Sequence, residues 1–253
     1  MSDHLSLQYQ RLCAHCGAAF VVLYAIFWCG FGHNLPPLAA ANLSAHDLAA
    51  IYAQHRWSYL VGNSVAAAVG VLWAPWTAQL FVALKRIEGD SPVLSYLSLI
   101  GGALTTWVVI FCPAIWVAAA YRPDMPADIV RALNDLGYFT FNLTYAGTTL
   151  QAIAAGAVGL ADGREIKLFP RWVSWWAIVT GLSFIPITLM PFGTSGPFSW
   201  DGLVSFWIGF GTFFSWCVSM GICMAAEAKR RLNAQSKDFS VPSRTGGKAR
   251  LNA

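Results

Sequence analysis

The 253-residue chain is 57% hydrophobic and only 11% charged, with a mean hydropathy of +0.52. A soluble domain carries about 25% charged residues, so a water-soluble globular core is excluded. The net charge of +4 calls for no nucleic-acid partner, because the excess sits in the gaps between apolar runs and in the C-terminal tail.

Six stretches without Asp, Glu, Lys or Arg place spans at about 13–32, 57–84, 93–120, 136–161, 172–192 and 202–226. Each is long enough in helix to cross a hydrocarbon core, which takes roughly 20 apolar residues. Lipid offers no hydrogen bonds to the backbone, so spans are helices or closed barrels. Runs such as Ala66 to Leu72 lack the alternation of barrel strands. The expectation is an all-α, polytopic integral membrane bundle of six transmembrane helices over residues 1–231, followed by a disordered basic tail over 232–253. Ala39-Ala40-Ala41 imitates a signal-peptide cleavage site, but the apolar segment before it has the length of a full span.

In the first span, Cys13, His15 and Cys16 offer three ligands where a closed zinc site needs four. No metal site is expected. The first outer gap, His33 to Arg56, holds Pro36-Pro37 and then Ser44, a natural N-cap with Asp47 near the first-turn amides; a short surface helix should follow. All five histidines precede Trp57, which argues against bis-His haem or di-iron chemistry between helices. Small residues recur every fourth position at Gly62, Ala66, Gly70 and Ala74, and again at Gly211, Ser215, Ser219 and Cys223. Such ridges let helix backbones approach closely. Pro75, Pro113 and Pro186 interrupt spans and free the carbonyls of Val71, Val109 and Leu182, which then need partners or line a cavity.

The fourth span is the most polar. Asp128, Arg131, Asp135, Tyr138, Asn142, Tyr145 and Thr149 alternate at spacings of three and four, which holds them on one helix face, with Thr144, Thr148 and Gln151 beside it. Polar side chains are costly in lipid, so this face should turn inward. The candidate ligand-binding residues are therefore Arg131 and Asp135 as mouth charges, with Tyr138, Asn142, Tyr145, Thr149 and Gln151 as a hydrogen-bonding wall. The competing reading of the same face is interhelical packing.

Beyond it, Gly193-Thr194-Ser195-Gly196 resembles the tetrapeptide of rhomboid-type intramembrane serine proteases, which share a six-span core. Their chemistry needs a His base in a later helix, and none follows His55; Ser195 reads as a turn residue. No nucleotide loop or metalloprotease helix appears, and no cofactor or catalytic residue can be assigned.

Thirteen of the 16 Lys and Arg residues fall on one side if the N-terminus is cytoplasmic: Arg11, Lys85, Arg86, Arg164, Lys167, Arg171 and seven from Lys229 onward. Arg56, Arg122 and Arg131 fall on the other. The positive-inside rule then puts both termini in the cytoplasm of a plasma or inner cell membrane. Trp172, Trp175 and Trp176 mark the inner boundary, and Trp57 and Trp200 the outer one. Lys229-Arg230-Arg231 reads as a stop-transfer flank with capacity for anionic lipid. The chain is expected to bind or transport a small lipophilic or amphiphilic molecule along the fourth span. Its alternatives are a non-catalytic subunit or assembly factor of a larger membrane complex, docked through a small-residue ridge to a partner protein or a second copy, and a membrane-embedded enzyme.

Overall fold

The computed structural model describes residues 3–240, with side chains from Leu5 to Ser236. Its elements are helical: α1 (Asp3–Tyr24), α2 (Ala45–Gln54), α3 (Arg56–Val69), α4 (Trp73–Glu88), α5 (Val93–Tyr121), α6 (Ala127–Leu143), α7 (Ala146–Leu160), α8 (Arg171–Ser183) and α9 (Gly209–Ser240). Among the described residues the only β feature is an isolated bridge between Asn34 and Pro37. Several helices change pitch without ending. α1 continues as a π-helix over Ala25–Phe31, a 3₁₀ turn at Gly70–Leu72 joins α3 to α4, α8 tightens into 3₁₀ over Ile185–Phe192, and a π-helix over Leu203–Ile208 opens α9.

Five of these continuous helices are long and apolar enough to cross a membrane: Leu5–Phe31, Arg56–Glu88, Val93–Tyr121, Arg171–Phe192 and Leu203–Ser236. Together they mark a multi-pass integral membrane protein. The fourth expected span is the exception, because it is broken at Thr144 and Tyr145 into α6 and α7, each too short to qualify alone. Local competition for carbonyls accompanies the break. Asn142 Nδ2 donates to the Tyr138 carbonyl at 2.9 Å and Thr144 Oγ1 to that of Thr140 at 2.7 Å. Side chains that bond back to the preceding turn bend helices, and here the backbone slips to three-residue bonds, Tyr145 N–H to Asn142 and Gly147 N–H to Thr144. α9 runs on to Ser240, so the first residues of the expected tail are helical; Val241 to Ala253 lie outside the described residues.

The short elements follow their caps. Ser44 Oγ accepts the Asp47 N–H at 3.2 Å and donates to Asp47 Oδ2 at 2.6 Å, which starts α2 where the sequence places it. Glu88, at the end of α4, accepts the N–H groups of Leu94 and Ser95, both at 2.8 Å, and so caps α5 across the turn. Asp162 instead ties the loop between α7 and α8, accepting from the Arg164 and Leu168 amides.

Packing is tight where Cβ atoms are missing. A Cβ on Gly62 would stand 2.3 Å from the Gly32 nitrogen, and one on Gly70 2.8 Å from the Val109 carbonyl oxygen. The ridge at Gly62, Ala66 and Gly70 is therefore filled by the chain's own α1 extension and α5. By contrast, Gly211 and Ser215 are exposed, and nothing lies within 4 Å of a Cβ built on Gly211. At the centre Phe20, Tyr24 and Trp28 of α1 stack in sequence, and Trp73, Trp76, Trp116 and Trp216 close around them, all buried. Trp57, Trp172 and Trp175 are exposed as a boundary belt requires; Trp200 is not. Its ring stacks on Tyr138 at 5.1 Å and its indole N–H donates to the Ala39 carbonyl, which pins the loop before α2 to the one before α9.

Ser6, Gln10, Arg86 and Arg231 meet at one end of the bundle, with Arg164 beside them. Tyr52, Arg56, Ala120, Arg122 and Met125 meet at another place, where α2, α3, α5 and α6 begin or end. The α6–α7 pair joins Met125 to Arg164, and so links those two places.

Candidate functional site

A cavity of about 40 Å³ lies beside the α6–α7 break. Phe20 and Tyr24 come from α1, Thr105, Val108 and Val109 from α5, and Phe141, Asn142, Thr144, Tyr145 and Thr148 from the α6–α7 break. Phe184, Ile187, Phe210, Phe213 and Phe214 complete it from α8 and α9. Its volume accepts about two or three waters, so a larger guest requires the phenylalanine walls to part.

The polar groups form one strip along that aromatic chamber. Thr105 Oγ1 and Thr148 Oγ1 share a hydrogen bond at 3.0 Å, with Thr105 able to donate to the Gly101 carbonyl at 2.9 Å. Asn142 commits its Nδ2 to Tyr138, as above. The Val109 carbonyl, freed by Pro113, takes the Tyr24 hydroxyl at 3.2 Å. Tyr145 reaches outward, and its hydroxyl pairs with Thr188 Oγ1 at 2.7 Å. Thr188 belongs to an exposed apolar groove with Ile185, Pro186, Leu189, Phe198 and Val204. The Tyr145–Thr188 pair thus stands between the cavity and that outer groove.

Of the seven candidate residues, the fold brings Asn142 and Tyr145 together at the cavity. Thr149 Oγ1 donates to the Gly181 carbonyl at 3.0 Å, at the α7–α8 crossing, and Gln151 Nε2 donates to Thr77 Oγ1 at 3.0 Å, at the α7–α4 crossing. Tyr138 is sandwiched between Trp116 and Trp200. Arg131 and Asp135 form an i,i+4 ion pair at 3.9 Å near the end of α6, away from the cavity. The break at Thr144 divides what the spacing alone presents as one continuous face. The aromatic wall was not singled out in the sequence, although Phe20, Tyr24 and Trp28 repeat every fourth residue and mark an inward face.

A second polar cluster lies beyond the cavity. Asn34 Nδ2 donates to Asn63 Oδ1 at 2.9 Å, Tyr52 donates to Asn134 Oδ1 at 2.9 Å, and Tyr52 stacks on Tyr59 at 4.3 Å. The His33 and His55 rings meet at 4.8 Å, a pair the sequence spacing did not suggest. Burial first, and His55 second, push the His33 pKa below the ordinary histidine value. Among the described residues, no group of three His, Cys, Asp or Glu side chains is placed to hold a metal ion.

No described protein family, curated protein or solved structure matches this chain.

Proposed function

We propose that this multi-pass membrane protein crosses the bilayer six times, with both termini cytoplasmic, and binds or carries a small lipophilic or amphiphilic molecule at the α6–α7 break. One observation carries the reading: a chamber with aromatic walls and a single polar strip lies at the α6–α7 break, with the 3₁₀ stretch after α8 in its wall and the π-segments of α1 and α9 adjoining the residues that line it. Irregular backbone at membrane depth is tolerated where it is buried in protein or lines a cavity, and π-turns inside helices recur at functional sites. The guest's apolar body lies against Phe141, Phe210 and Phe213, and its hydrogen-bonding head meets Asn142, Thr144 and Thr148. Entry runs from the groove at Ile185 and Leu189, past the Tyr145–Thr188 pair. Arg131 and Asp135 stay outside as rim charges, and Tyr138, Thr149 and Gln151 hold the helices that form the wall.

The test is extraction in mild detergent, followed by mass spectrometry of retained small molecules from wild type and from Asn142→Leu. Loss of a retained species in a variant that melts like wild type supports the site; identical retention, or no retained molecule in wild type, removes it. Gln151→Leu serves as the contrast. It leaves the Thr77 hydroxyl without its donor, so it should lower stability by about 1 kcal/mol before it changes retention.

A second reading, a subunit that docks a partner helix, draws on the exposure of Gly211 and Ser215 on α9. Gly211→Leu should then dissociate a co-purifying partner while leaving small-molecule retention intact. Unchanged co-purification would leave the ridge a lipid-facing surface.

A further inference from the structure

The end of the bundle that carries Ser6 holds a second cleft, of about 390 Å³, unrelated to the central cavity. Gln10 of α1, Arg86 of α4, and Arg231 and Gln235 of α9 wall it. A recess beside it shares Gln10, Arg86 and Arg231 and adds Arg164 and Glu227.

The charges there do not cancel. Arg164 is neutralised by Asp162 at 2.7 Å, while Glu227 already serves both Arg230 at 2.6 Å and Arg231 at 2.9 Å. Among the described residues, no carboxylate pairs with Arg86. Its Nη2 donates to Gln10 Oε1 at 2.9 Å, and among the described residues the rest of its fork has no hydrogen-bond acceptor. Also lining the cleft, Gln235 Oε1 is buried with no hydrogen-bond partner among the described residues. The cleft therefore offers guanidinium donors for an anion and one acceptor for a hydroxyl.

Arginine forks match phosphate oxygens in pairs, which a single ammonium cannot. Beside the cleft, Leu5, Tyr9 and Leu12 of α1 are exposed at i, i+4 and i+7, an apolar strip suited to acyl chains. We propose that this cleft binds the phosphate of an anionic phospholipid whose head group carries a hydroxyl. Arg86 and Arg231 hold the phosphate, Gln235 accepts from the hydroxyl, and the acyl chains run along Leu5, Tyr9 and Leu12.

The experiment uses the full chain in mild detergent, with native mass spectrometry after addition of phosphatidylglycerol or phosphatidylcholine, and a parallel melt in inorganic phosphate. Wild type should retain phosphatidylglycerol preferentially. Arg86→Gln should weaken that retention about tenfold, the scale of losing a charge-assisted pair of bonds, while Arg86→Lys loses less. Lipid-free melting temperatures identify any variant whose loss is one of folding, and Arg231→Gln gives an independent second reading. If inorganic phosphate alone stabilises wild type and displaces no lipid, with the same dependence on Arg86, the lipid source is overturned and a soluble phosphate takes its place. Equal phosphatidylglycerol retention by wild type, Arg86→Gln and Arg231→Gln overturns the site.

Discussion

Asp162 shows how one buried carboxylate can fix a loop at the end of a membrane bundle. The Arg164 guanidinium binds it at 2.7 and 2.8 Å, and this outweighs the cost of burial; the Leu168 and Arg164 amides add to it, so the pKa falls from an ordinary 3.8 to about 2. A carboxylate depressed on folding stabilises the fold above its unfolded pKa and loses that contribution as pH falls through the folded one. The window is therefore about pH 4 down to pH 2, and the contribution at neutral pH is about 2 kcal/mol. Asp162→Asn should melt earlier than wild type at pH 7, with the difference vanishing near pH 2 in a detergent melt. A constant difference across that range would mean that the carboxylate's charge does not hold the loop. Tyr145 acts at the same scale but on rates. Tyr145→Phe keeps the ring and removes the bond to Thr188, so a fluorescent apolar probe that enters the cavity should exchange faster, with little change in equilibrium occupancy.

Helix crossings depend on what is missing from them. A Cβ on Gly101 would stand 2.5 Å from the Gly147 carbonyl oxygen and 2.7 Å from the Gln151 nitrogen, both backbone atoms that cannot rotate away. Gly101→Ala should therefore push α5 off α7 and cost about 1–3 kcal/mol. Gly211→Ala meets open space and should be neutral or slightly stabilising, by up to about 1 kcal/mol of helix propensity. Equal thermal shifts for the two would show that close approach at Gly101 does not set the crossing. These elements also show what a sequence can disclose. Five unbroken spans, the Ser44 cap and the inward polarity of Asn142 follow from local pattern, because uncharged length, capping chemistry and helical period are local quantities. The break at Thr144 does not, since periodicity looks the same whether or not Asn142 and Thr144 take carbonyls from their own helix. Nor does the His33–His55 pairing, a contact between residues outside the helices that no spacing encodes, and of the aromatic wall only the Phe20, Tyr24 and Trp28 face shows in the spacing. The burial of Trp200 does not follow either: a tryptophan beside Asp201 reads as exposed, whereas Tyr138 and the Ala39 carbonyl cover it.

For the whole molecule, the α6–α7 segment decides parity. If it crosses the bilayer, six crossings return the C-terminus to the side of the N-terminus; if it does not, the two ends lie on opposite sides and Arg164, Lys167 and Arg171 face outward with the tail. Its 17- and 15-residue helices span about 50 Å at 1.5 Å per residue, more than the roughly 30 Å of a hydrocarbon core. Arg164 shares a recess with Gln10 and Arg86, the start of α1 and the end of α4, so the α7–α8 link lies at the same end of the bundle as both. The basic residues do not decide it, since thirteen of the 16 share a side either way: the three left over are Arg56, Arg122 and Arg131 with the crossing, and Arg11, Lys85 and Arg86 without it. Asn42 and Glu165 are both exposed loop residues, which makes them reporters for the two sides. With a membrane-impermeant maleimide on intact cells, Asn42→Cys should label above the background of native thiols, whereas Glu165→Cys should label only after the membrane is opened. Labelling of both cysteines from the same side would leave α6 and α7 as a re-entrant pair, reverse the assignment of the last two helices and move the phosphate cleft away from a common cytoplasmic face.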